Sequence, residues 1–215
     1  RRRGRGLSAA RALAGGGALL GLGGLLLQYI LLHESMTAEG AGPLDVLWRF
    51  SGYFTLLTNT LVTLLFARAA LRDDARGLNA PHVELMAVTS ILFVCAVYNV
   101  LLASRWNPQE WQLVADVIVH QAVPGLFALY WLARPHGRIG WADAGFAALW
   151  PFAYAAYGLK RGAFDGFYPY FFMNPTMTPW AQVAVNMAGL VAVFGVGALA
   201  MVALDRWLAR RVKGA

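Results

Sequence analysis

The chain has 215 residues, 59% of them hydrophobic and only 13% charged, and its mean hydropathy is +0.52. Soluble domains of this size carry about a quarter charged residues, so composition excludes an ordinary water-soluble fold. The net charge of +7 would suit nucleic acid, but its distribution along the chain is that of a membrane orientation signal, and no nucleic-acid partner is expected.

Six apolar stretches, at about 12–32, 47–67, 83–104, 112–133, 141–158 and 180–204, are long enough to cross roughly 30 Å of hydrocarbon as helices. A membrane barrel would instead show alternating segments of about ten residues. The expected architecture is all-α: a polytopic membrane protein, a six-transmembrane-helix bundle forming one domain over residues 1–215 in the lipid bilayer. Arg1, Arg2, Arg3, Arg5 and Arg11 precede the first stretch. Arg68, Arg72 and Arg76 lie between the second and third, Arg134 and Arg138 between the fourth and fifth, and Arg206, Arg210, Arg211 and Lys213 at the end of the chain. Only Arg49, Arg105, Lys160 and Arg161 fall on the other side. The positive-inside rule then places both termini in the cytoplasm of a plasma-membrane protein.

The first stretch follows an Arg-rich segment, as a signal peptide would. Its apolar run exceeds the usual h-region and no clear A-x-A site follows, so a retained helix is expected. It contains Gly17-x-x-x-Gly21, spacing that suits close helix–helix approach; no strand or Gly-Lys-Ser/Thr makes it a phosphate loop. No internal repeat supports a transporter architecture. The single cysteine, Cys95, excludes an intrachain disulfide and a cysteine metal cluster. No metal or organic cofactor is expected. Two connections, about 33–46 and 159–179, are expected outside. The second is crowded with Phe164, Phe167, Tyr168, Tyr170, Phe171 and Phe172 beside Pro169 and Pro175. It reads either as an interfacial aromatic belt or as a lid over an outward-opening cavity, with Tyr168, Pro169 and Tyr170 at its centre.

Depth brings polar residues together. At about 1.5 Å per residue, a helix entering near residue 47 carries Thr55 roughly 12 Å in, and one entering near 112 carries His120 to the same level. Asp116 lies one turn from His120, while Asn59 shares a face with Thr55. Asn99 and Asn186 belong to the same layer. Thr55, Thr58 and Thr60 have a plain alternative, bonding back to carbonyls one turn earlier, and Asn59 one as interhelical glue. Asp116 is costly in a membrane helix and should face a partner or a wet cavity. The chemical reading makes Thr55 a nucleophile, His120 its base and Asp116 the group that orients the imidazole. Amides of Asn59, Asn99 or Asn186 would then stabilise an oxyanion. A site at this depth suits an ester whose acyl chains already lie in lipid.

The runs FSGYFTLLTNTLV, ADVIVHQAVP and GFYPYFF, with a final Asn186-x(18)-Asp205-Arg206, resemble the bacterial "Pr-six-Pr" six-helix membrane proteins over nearly the whole chain. That family is distantly similar to the androgen-induced membrane proteins, threonine hydrolases of fatty acid esters of hydroxy fatty acids. The resemblance implies a nucleophile at Thr55, in an aromatic-x-Thr motif, and a base at His120, with Asp116 four residues before it and Pro124 after it. Two features depart from the pattern: proline follows His120 by four residues rather than five, and Thr58 offers a second hydroxyl one turn from Thr55. The expected function is hydrolysis of a lipid-like ester. The alternatives are a non-catalytic lipid or small-molecule binding or transport protein using the same pocket, and a structural subunit that meets a partner protein through the glycines of the first helix.

Overall fold

The computed structural model describes residues 2–72 and 74–213. Arg1 lies outside the described residues, as do the side chains of Arg2, Arg3, Arg5 and Lys213, so the orientation argument at the termini stays one of sequence. The described residues are helical throughout, with no strand among them. Helix α1 spans Arg2–Thr37, α2 Pro43–Phe50, α3 Phe54–Leu71, α4 Pro81–Val97, α5 Glu110–Val117, α6 Val123–Leu132, α7 Ala142–Asp165 and α8 Trp180–Lys213. A π-helical turn, Tyr98–Leu102, extends α4, and a second, Ile118–Ala122, joins α5 to α6.

Among the described residues, five helices are long and apolar enough to cross a membrane: Ala9–Thr37, Phe54–Leu71, Pro81–Arg105, Glu110–Leu132 and Trp180–Arg211. Helix α7 has the length, at 24 residues, but Asp143, Lys160, Arg161 and Asp165 and a run of Ala, Gly and Tyr dilute its apolar character. It also runs to Asp165 instead of ending near 158, so the aromatic connection begins only at Gly166.

The stretch expected as one helix over 47–67 is divided. Pro43 at the first position, with the Asp45 carboxylate accepting the Gly42 N–H at 2.9 Å, starts the short α2. The chain then breaks at Ser51–Tyr53 before α3 begins. Gly52 permits that break because a Cβ there would stand 2.8 Å from the Arg161 guanidinium and 3.0 Å from the Arg49 carbonyl. Arg161, assigned from sequence to an exposed loop, is buried inside α7. It donates to Asp165 (3.1 Å), Ser51 (3.3 Å) and Tyr157 (3.1 Å), and lies 4.1 Å over the Trp48 ring. Trp48 also donates to Asp165 at 2.7 Å. Burial raises the Asp165 pKa, but the Phe167 N–H, Trp48 and Arg161 outweigh it and hold the carboxyl below its usual range.

Helix α4 is central, packed by α3, α6, α7 and α8, while α1 lies along α3 and covers α5 and α6. Edge-to-face and tilted packing of Phe66, Phe127 and Tyr130, with centroids 4.9–5.5 Å apart, fills the core between α3 and α6. At the end of the bundle that gathers the basic loops, Tyr130 donates to buried Glu84 (2.9 Å), which also faces Arg134 at 3.3 Å. Asn79 bridges Tyr130 and Arg68, and Arg68 pairs with Asp74 at 2.6 Å. Across the same end His136 meets Asp205 at 3.0 Å.

The α1 glycines pack inside the chain. A Cβ on Gly17 would come within 2.5 Å of the Phe66 ring, one on Gly21 would collide with Thr63, and one on Gly24 with Ile118. Close helix approach is therefore what the glycine spacing provides, and the surface imagined for a partner protein is occupied by α3. Gly17→Leu is expected to cost about 1–3 kcal/mol through overpacking, lowering the thermal midpoint by roughly 2–4 °C per kcal/mol. Gly23→Leu, which meets nothing within 4 Å, should leave it unchanged. Equal midpoints for the two variants in a thermal-shift measurement would refute this packing.

Candidate functional site

Because α3 starts at Phe54, Thr55 sits in its first turn and not two turns deep in a longer helix. The first N–H groups of any helix lack partners within it. Here the Tyr170 hydroxyl, from the connection between α7 and α8, accepts the Thr55 N–H at 3.3 Å and also touches the Thr55 side-chain hydroxyl. Tyr170 is buried and stacked on Phe172 at 5.2 Å. Part of the aromatic connection is thus folded into the bundle. Burial pushes the Tyr170 phenol above its ordinary pKa, so it stays neutral and able to donate.

Both π turns lie at this level. One starts at Tyr98, the other carries His120. Such turns are rare and gather at functional sites. They set the two rings face to face, with centroids 3.8 Å apart and planes within 12°. Tyr98 donates to Asp116 Oδ2 at 2.5 Å, and Asp116 Oδ1 lies 3.2 Å from His120 Nδ1. The same nitrogen is 3.1 Å from the Asp116 carbonyl. Acceptors around Nδ1 mark it as the N–H nitrogen of the ring, which leaves Nε2 facing away from them.

Thr55, Tyr98, Asp116, His120, Pro169 and Tyr170 all line one cavity of about 540 Å³. Its rim includes Arg105, which lies 4.2 Å over Phe171, and Gln28 of α1, which accepts from Gln112 of α5 at 3.4 Å. Thr55, His120 and Asp116, the residues expected as nucleophile, base and orienting carboxylate, therefore line one chamber, although no hydrogen bond joins Thr55 to His120.

The amides do other work. Asn59 donates to the carbonyls of Thr55 (2.8 Å) and Val119 (3.0 Å), tying α3 to the second π turn. Asn99 donates to Cys95 O at 2.7 Å and accepts from Gln121. Asn186 holds Phe172 O at 2.9 Å. None of the three lines the cavity, so their expected role as oxyanion donors gives way to one of holding backbone in place. Thr58 is buried and accepts from Trp150 of α7 at 3.0 Å, so it does not compete with Thr55 for the chamber. Thr60 bonds back to Leu56 at 2.8 Å. Tyr168 packs on Gly162 outside the cavity. Sequence reasoning missed Tyr98. The signal was one aromatic residue in an apolar run, which points nowhere until the π turn aims it.

The fold and this chamber define a helical bundle of membrane-spanning dimensions with a polar pocket at one end. Comparison with known proteins finds no matching family model, no matching curated protein and no matching solved structure.

Proposed function

We propose that this chain is a plasma-membrane protein with α7 as its sixth span and both termini cytoplasmic, and that it hydrolyses a lipid-like ester. The observation carrying this reading is the convergence of Thr55, His120 and Asp116 on one cavity at the end of the bundle opposite the basic loops. The similarity of its short motifs to the threonine hydrolases named above favours the same pair.

In the reaction, Thr55 Oγ1 attacks the ester carbonyl carbon while His120 Nε2 takes the hydroxyl proton. The tetrahedral intermediate expels the alcohol, which leaves with that proton, and the acyl group stays on Thr55. Water then attacks the acyl–threonine ester and gives a proton to His120. The acid departs and the proton returns to Thr55. Asp116, held by Tyr98, keeps the imidazole tautomer and stabilises its charged form. The first turn of α3 and the Tyr170 hydroxyl supply donors and a dipole for the oxyanion. The missing Thr55–His120 bond suits a resting site, since catalytic hydrogen bonds often tighten only with substrate.

A second reading is favoured by one observation: Tyr98, Asp116 and His120 satisfy one another. The chamber would then bind a lipid-like ligand without chemistry. Acid quenching during turnover of p-nitrophenyl octanoate separates the two. The hydrolase predicts a nitrophenol burst stoichiometric with protein and an octanoyl adduct on the peptide containing Thr55. Turnover equal to a detergent blank, with no adduct, would leave only the binding reading.

A further inference from the structure

A second cavity lies beside the first. It is a narrow slot of about 60 Å³ between α4, α7 and α8, and Thr55, Leu102 and Tyr170 line both spaces. Its walls are almost entirely carbon. Phe54 lies 6.5 Å from Phe93 and 4.9 Å from Tyr154, and Phe93 lies 5.4 Å from Phe194, centroid to centroid. The Tyr154 hydroxyl is spent on Gly52 O at 2.8 Å. On α8 the slot runs from Met187 to Phe194, about 10 Å at 1.5 Å per residue.

The slot reaches the outside between α7 and α8. Val191 at its mouth is 48% exposed, and the surrounding surface is apolar, with Phe152, Val193 and Leu199 also exposed. Pro151 lines the slot from the middle of α7, where it has no N–H for the helix ladder and leaves the helix free to bend. A passage that is apolar and reaches an apolar surface disfavours a sugar or a charged group, and a free volume of about 60 Å³ is too small for a fused ring.

We propose that this slot is an acyl-chain site, in which one hydrocarbon chain enters sideways from the bilayer between α7 and α8 and ends with its carbonyl at Thr55, the polar remainder lying in the larger cavity. The inference rests on the reading of Thr55 as the place where a lipid-like ester is held. It adds which part of the molecule goes where and by what route it arrives. Thr55 stands at the junction of the dry and the wet space, where the ester bond of such a molecule belongs.

The test is photolabelling of the purified full chain in detergent with octanoic acid bearing a terminal diazirine, followed by peptide mapping. Labelling within the slot, at Met187 or Phe194, is expected to exceed that at outward-facing Val185 and Val196 of the same helix by about tenfold. Leu190→Trp, which fills the slot, should remove that excess by a similar factor. Val191→Trp at the mouth, a milder change, should do so if the first variant does not fold. Labelling of Val185 and Val196 as heavy as that of the slot, or an excess untouched by a folded tryptophan variant, would overturn the proposal. Because this readout needs no turnover, its failure is separable from failure to trap an acyl group on Thr55. Slot labelling without an adduct would keep the chain site and remove the chemistry.

Discussion

Replacing Thr55 by alanine is expected to reduce ester turnover by a factor on the order of 10³ or more, and replacing His120 by alanine to do nearly the same. The two groups work as one unit, so the double variant should be scarcely slower than either single one. Thr55→Ser keeps a hydroxyl in place and should retain measurable activity. Tyr98→Phe is the informative intermediate. It keeps the ring stacked on His120 but deletes the 2.5 Å bond to Asp116. A hydrogen bond to a charged group is worth about 1.5–3 kcal/mol, so turnover should fall roughly tenfold to a hundredfold. The measurement is kcat/KM for wild type and all five variants, with thermal midpoints to show that each is folded. Thr55→Ala and His120→Ala turning over as fast as wild type would sink the hydrolase reading.

Glu84→Ala is expected to be among the most damaging changes for stability. Its carboxylate is buried among Arg134, at 3.3 Å, and the Tyr130 hydroxyl, at 2.9 Å, with Asn79 and Arg68 beyond. Removing one partner of a buried pair costs about 3–5 kcal/mol, because the other charge stays desolvated without compensation. For a chain of this length that lowers the thermal midpoint by roughly 6–20 °C. Glu84→Gln keeps an acceptor for Tyr130 and should cost less. Replacing Glu84 and Arg134 together by leucine should recover much of the loss, since an apolar pair often serves as well as a buried ionic one. A full thermal-shift cycle on wild type, Glu84→Leu, Arg134→Leu and the double variant gives the coupling. Additive losses would mean that the two charges do not depend on each other.

Hydropathy is enough to find the helices that became α1, α4, α5–α6 and α8, because each needs only a sustained apolar run. It could not find the break before α3. Trp48-Arg49-Phe50-Ser51-Gly52-Tyr53 reads as a continuation of the apolar run, and the interruption is set by Arg161, more than a hundred residues away. Burial of Arg161 and Glu84 was hidden for the same reason: each looks like a loop or end residue until distant partners are brought to it. Within the site, the shared level of Thr55 and His120 was legible from helix rise, although the register behind it was wrong by the length of α2. The neutral phenol on Thr55 and the stacked ring on His120 were not, because both depend on backbone that departs from the α-helical repeat.

The two π turns have a consequence for how this chain can vary. Each turn takes up one residue more than an α-helical turn of the same span. Losing one residue from either would restore the regular ladder and leave the flanking helix nearly in place, but would re-aim the side chains within the turn itself. Tyr98 and His120 would then no longer meet, though every apolar residue would remain and the helices would still look long enough to span. In a set of related chains, the length of these two short stretches is therefore a better guide to which have kept the chamber than their overall hydrophobicity. A single-residue gap aligned at either one marks a protein that has the bundle without the site.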